Sequence, residues 1–150
     1  QLHLHRQGEE ATASPAIPIA ARTRRITPPY RSIPAAAEGR QAILSAQLAA
    51  VVADAEPLEI QVLRLGDVAL VGVPGELFCE IGLAIKQQSP APRTLVVGFA
   101  NNYQGYFPTP AAYEEGDYEV IAAPWSRYTA EAGKQIEATA LALLRECFPD

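Results

Sequence analysis

The feature that most constrains this chain is a pair of apolar runs separated by a breaker, a carboxylate and an amphipathic segment. Val68-Ala-Leu-Val-Gly-Val73 reads as a strand buried on both faces. It ends at Pro74-Gly75, and Glu76 opens a helical segment with Leu77, Ile81, Ala84 and Ile85 on one face, closed before Pro90. Thr94-Leu-Val-Val-Gly-Phe99 is the second run. Strand, helix, strand predicts a parallel, right-handed unit. Glu76 on one connection, and Tyr103 and Tyr106 on the other, then emerge at the carboxyl ends of the two strands, where open α/β sheets take their ligands.

The flanking residues complete a small mixed α/β sheet with helices packed on it. Leu58, Ile60 and Val62 alternate with Glu59 and Gln61, the pattern of a strand with one exposed face, and the phase shift to Leu63 and Leu65 predicts a bulge. Gly66-Asp67 is a two-residue hairpin turn leading back into the run at 68–73. Leu44, Leu48, Val51 and Val52 share one face of a helix over 37–53, between Pro34 and Pro57. A last helix starts near Thr129, read as its N-cap, with Ile136, Ala140, Leu143, Leu144 and Cys147 on its apolar face. Residues 1–36 read as an extended leader or arm, with an edge strand or irregular segment over 19–34 interrupted by Pro28-Pro29. Residues 37–150 form the α/β part. Three strands, or four with the arm, are few for such apolar central runs.

Composition narrows the possibilities. With 49% hydrophobic and 19% charged residues the chain is of ordinary globular composition. A net charge of −5 and the absence of a long basic run give no reason to expect nucleic-acid binding. No segment has the length and apolarity of a transmembrane helix or the pattern of a signal peptide. There is no Met, so the chain is expected to be a fragment, a processed product or part of a larger α/β domain. Cys79 and Cys147 lack motif spacing and read as buried free thiols.

Few residues offer chemistry. Glu76, at the first turn of a helix, is held ionised by the helix dipole, which suits a metal ligand better than a general acid; it equally serves to complement the helix start. Tyr103 and Tyr106 flank Gln104-Gly105, a tight loop expected to send one phenol inward and one outward. Tyr113-Glu-Glu-Gly-Asp-Tyr-Glu119 is acidic but lacks calcium-loop spacing, so it reads as a solvated helix end and turn. His3-Leu-His5 could present two imidazoles on one side of a strand, or be a solvated chain end. No other His follows, no nucleophile elbow exists and no glycine-rich phosphate loop is present.

These residues also occur as linked motifs: Val73-Pro-Gly-Glu76, Ala100-Asn-Asn-Tyr103-Gln-Gly-Tyr106, Thr109-Pro-Ala-Ala-Tyr113-Glu-Glu115 and Tyr118-Glu119. In that order they resemble the neutral/alkaline, non-lysosomal ceramidase family, over about residues 58–148. The likeness is to the C-terminal part of its catalytic domain, in a short bacterial form. What the resemblance implies is a zinc-dependent amide hydrolase acting on N-acyl sphingoid or related amphiphilic N-acyl amides. Glu76 and Tyr106 would be zinc ligands, and Tyr118 the catalytic phenol at the reacting carbonyl. The family's other two zinc ligands are His in an earlier segment that this chain does not contain, and His3 and His5 match neither. The implied partner is therefore the missing N-terminal part of the domain or a second subunit, and the family's setting is secreted or periplasmic. The competing expectation is a non-catalytic α/β module whose Glu and Tyr serve local packing.

Overall fold

A computed structural model describes residues 16–32 and 38–149. Four strands form the main sheet: β1 (Ile19–Ile26), β2 (Leu58–Leu65), β3 (Val68–Gly72) and β5 (Arg93–Val97), in the order β1-β2-β3-β5. β1, β2 and β3 are antiparallel neighbours, and β3 and β5 are parallel, joined through helix α2 (Cys79–Gln88) as the two apolar runs require. The arm contributes a full edge strand, since all of β1 pairs with β2. The β2–β3 turn is Gly66-Asp67, with the positive φ (+62°) on Gly66. No bulge interrupts β2: its register runs unbroken against β1 and against β3. The phase shift instead moves Leu63 and Leu65 to the opposite face of the sheet.

One face of the sheet carries the core. Helix α4 (Glu131–Cys147) packs on β1 and β2, and α2 packs on β5 and α4. Ile136, Ala140, Leu143, Leu144 and Cys147 are buried against Leu58, Ile60, Val62, Ala69 and Val71. Each large apolar side chain so buried stabilises the fold by roughly 1.5–3 kcal/mol. Arg64 lies in this layer and resolves its charge at the edge: its guanidinium covers the Phe148 ring and donates to the Cys147 carbonyl at the end of α4 (2.8 Å). Thr129 does not cap α4. Ala130 holds the N-cap position without a side-chain bond, and the Thr129 hydroxyl is buried without a partner.

The other face is largely bare among the described residues, so β3 is not buried on both sides. Val68 and Leu70 are only half-covered, while Ile19, Leu65, Leu95 and Val97 are exposed. The reason is the position of α1 (Gly39–Ala53), which lies by the loops at the carboxyl end of the sheet and bonds them through Gln41 Nε2 and the Ala122 carbonyl (3.1 Å). Among the described residues no helix is long and apolar enough to cross a membrane.

Those loops form a second, smaller layer. After β3 the chain enters a two-residue strand, β4 (Glu76–Leu77), which pairs in parallel with β6 (Tyr106–Phe107). Three backbone segments stack here at contact distance. A Cβ on Gly75 would lie 2.3 Å from the Gly105 carbonyl oxygen, and one on Gly105 (φ +89°) would lie 2.3 Å from that of Trp125. The amide of Glu76 donates to the Gly105 carbonyl (2.9 Å), that of Gln104 to Pro74 (2.7 Å) and that of Tyr106 to Trp125 (2.8 Å). Helix α3 (Pro110–Glu115), capped by the Thr109 hydroxyl, and a 3₁₀ turn at Tyr118–Val120 follow.

Behind the loops sits an aromatic group. Tyr128 stacks on Tyr30 (5.0 Å) and contacts Phe107, and the Tyr113 hydroxyl donates to the Tyr128 carbonyl (2.7 Å). Burial pushes the phenols of Tyr113 and Tyr128 above their ordinary value near 10. Because the folded values exceed the unfolded one, the neutral phenols' contribution is complete below pH 10 and is lost as pH rises past it. In denaturant unfolding these phenols should therefore contribute a decline in stability only above about pH 10. Tyr113→Phe should cost about 1 kcal/mol at neutral pH and make the alkaline decline shallower. Gly105→Ala faces both the positive φ and the Trp125 backbone, so its unfolding midpoint should show a loss on the order of 3 kcal/mol.

Candidate functional site

The paired strands β4 and β6 make the site. Glu76 and Tyr106 are direct partners in the parallel register, so their side chains leave the pair together. This corrects the sequence-based position of Glu76: helix α2 begins only at Cys79, after the N-cap Phe78, so Glu76 lies in a strand and not in the first turn of a helix. What the carboxylate has instead is phenols. The Tyr103 hydroxyl donates to Glu76 Oε1 at 3.0 Å. Burial, followed by interaction with the Glu76 carboxylate, pushes the Tyr106 phenol up to about 12 and raises that of Tyr103 as well. Losing either proton would set a second negative charge beside the carboxylate. Both phenols therefore turn to Glu76, where the spacing predicted one inward and one outward.

Tyr118 joins the same cluster. Its ring meets that of Tyr106 edge-on (centroids 6.0 Å, 83°) and stacks on Trp125 (5.2 Å, 16°). The Trp125 indole donates to the Tyr118 carbonyl (3.1 Å), fixing that stretch of chain while the residue stays half exposed. Glu76, Tyr106 and Tyr118 are thus brought together.

Several supporting residues were not singled out by the sequence. Gln104 is buried, and its Oε1 accepts from Arg127 Nη1 (2.9 Å) and from the Tyr128 hydroxyl (3.4 Å). Arg31 bonds the Val120 carbonyl and the Ser126 hydroxyl and lies over the Tyr113 ring. Phe99 has a left-handed backbone (φ +54°), which costs an aromatic residue on the order of 1–3 kcal/mol. Its ring stacks flat on Tyr103 (5.4 Å, 7°). Gln104 lies within the linked motif around Tyr103, and Phe99 at the end of the second apolar run, but neither pattern marks these roles, and Arg31 and Arg127 lie in no motif.

The chemistry of the set is narrow. Among the described residues no group of three or more His, Cys, Asp or Glu could hold a metal ion, and His3 and His5 lie outside those residues. One carboxylate with phenol oxygens beside it fits part of a zinc ligand set, one that imidazoles would have to complete. Cys79 is exposed rather than buried, and its thiol is pushed up by the adjacent Glu80, to which it donates (3.3 Å). It lacks the electropositive surroundings of a nucleophilic cysteine. Cys147 is buried and free, as the sequence implied. Beside Glu76 an open hollow of about 520 Å³ is lined by Leu77, Phe78, Leu83, Val96 and Phe99 among others.

Comparison with known proteins bears on the fold. No protein-family model and no curated protein matches the chain. Solved structures do. The neutral ceramidase from Pseudomonas aeruginosa superposes with a TM-score of 0.54 at 21% identity, covering 85% of this chain and 29% of that one. A ceramidase complexed with C2 gives 0.57 at 19% identity, covering 87% and 31%. The chain thus spans less than a third of each, and the likeness is one of fold. The chain has the fold of part of a neutral ceramidase.

Proposed function

We propose that this chain is part of a zinc-dependent amide hydrolase acting on amphiphilic N-acyl amides. The observation that carries the reading is the register pairing of Glu76 with Tyr106, with Tyr118 against Tyr106. These are the three residues that the linked motifs single out, and they meet in a fold shared with neutral ceramidases. Glu76 and Tyr106 would hold the zinc together with two imidazoles from a segment that these 150 residues do not contain. When bound, zinc supplies Lewis acidity toward the amide carbonyl and activation of water.

The chain's own side chains do the rest. Tyr118, half exposed at the front of the cluster, donates its hydroxyl to the carbonyl oxygen as negative charge develops there. Its stack on Trp125 keeps the ring from turning away. The apolar hollow beside Glu76 gives one hydrocarbon chain of an amphiphile a surface out of water. The bare sheet face, with Ile19, Leu65, Leu95 and Val97, is where the remaining part of such a unit packs.

That no three His, Cys, Asp or Glu gather among the described residues favours one other reading, a non-catalytic α/β module. Metal analysis and amidase rates decide between them. This chain alone should bind zinc weakly and hydrolyse no N-acyl amide. In the intact domain Glu76→Gln and Tyr106→Phe should each lower zinc occupancy. Tyr118→Phe should keep the zinc and slow turnover about 10²–10³-fold, as for a lost oxyanion donor. Full zinc and full activity in Glu76→Gln would leave the inert module standing.

The bare face has its own check. A hydrophobic dye should bind the isolated chain and be displaced largely by Leu95→Lys with Val97→Lys, at unchanged melting temperature, since neither side chain supports the core. Dye binding that ignores both substitutions would remove this face as the packing surface.

A further inference from the structure

We infer that Tyr103, backed by Phe99, is a positioning residue that holds the Glu76 carboxylate in one orientation for a divalent metal ion. The Tyr103 hydroxyl donates to one oxygen of that carboxylate, Oε1. The inference rests on the zinc reading above. A glutamate side chain has three rotatable bonds, and as a ligand it is useful only if its oxygens already point to one place; partners that fix a ligand in this way typically matter 10–100-fold in metal affinity.

Three observations single out Tyr103. Its hydroxyl is the group that engages Glu76 Oε1, at 3.0 Å, from a loop 27 residues away in sequence. The residue is 44% exposed, so by itself this bond would compete with water. The Phe99 ring, lying flat on the Tyr103 ring at 5.4 Å, removes that freedom. Phe99 is the more telling residue. Its backbone is left-handed and its side chain 63% exposed, so core burial does not account for a conformation that aromatic residues avoid. Its place is set instead by the turn that carries Glu76. The Phe99 amide donates to the Gly75 carbonyl (3.1 Å) and that of Ala100 to Val73 (3.0 Å). The carboxylate, the phenol that holds it and the ring behind that phenol are all tied to the Val73–Glu76 turn.

Tyr103→Phe separates this role from simple packing, because it keeps the ring on Phe99 and removes only the hydroxyl. In the 150-residue chain without metal, carbon relaxation of the Glu76 side chain should show an ordered carboxylate in the wild type and a mobile one in Tyr103→Phe, at equal melting temperature. Titration with zinc alone against a chromophoric chelator should then give binding about 10-fold weaker or more. Phe99→Gly, which relieves the backbone and deletes the backing ring, should hold or raise the melting temperature while weakening zinc. An equally ordered Glu76 in Tyr103→Phe overturns the inference, and the relaxation measurement decides this however weak the zinc binding is. Loss of zinc as complete as in Glu76→Gln also overturns it, making Tyr103 a ligand. Undiminished zinc binding in Glu76→Gln is a different failure, that of the zinc reading itself.

Discussion

Everything at the carboxyl end of this sheet depends on the close approach of three backbone segments at Gly75, Gly105 and Trp125. At each crossing the space for a Cβ is already taken by a carbonyl oxygen. Because the segments touch, their amides and carbonyls satisfy one another, which leaves few buried backbone groups in this irregular region to be paired by side chains. The stacking also sets the register of β4 against β6, and hence the side-by-side placement of Glu76 and Tyr106. Glycine is required here for the absence of a side chain more than for flexibility.

The second consequence is electrostatic. A carboxylate surrounded by phenols is a hydrogen-bonded unit that resists further deprotonation, since each phenol is stabilised in its neutral form by burial and by Glu76. As a metal-binding unit it must exchange a phenolic proton for a cation, and that exchange is favourable only for a strongly polarising ion with further donors. On the zinc reading proposed above, the single carboxylate and the bare sheet face have the same sense: a further polypeptide segment would bring imidazoles to the first and apolar side chains to the second.

The parts of the fold that were legible in sequence are those governed by local periodicity. The parallel pair β3 and β5, the turn at Gly66-Asp67, the helix over Gly39–Ala53 and the buried face of α4 all follow from spacings of two or between three and four residues. The errors came where periodicity meets tertiary context. Leu63 and Leu65 looked like a register slip because the pattern assumes one apolar face, whereas β2 has apolar residues on both. Thr129 has the chemistry of an N-cap, but α4 starts one residue later. Glu76 looked like a helix residue because Pro-Gly so often precedes a helix; here β6 captures it into a strand first.

The sequence by itself determined the α/β class, the order of strand and helix, and a short list of polar residues bound to lie at the strand ends, because these follow from local pattern and from the handedness of chain connections. It also supplied the linked motifs on which Glu76, Tyr106 and Tyr118 were chosen. Only the tertiary structure decided that Tyr103 engages Glu76, that Phe99 backs it, and that Gln104 and Arg127 anchor the loop from behind. Those contacts join residues from different loops, and each depends on three-dimensional distances of a few ångströms that no spacing along a chain encodes. The same holds for the bare face: a sequence shows which residues are apolar, but only packing shows which of them found a partner.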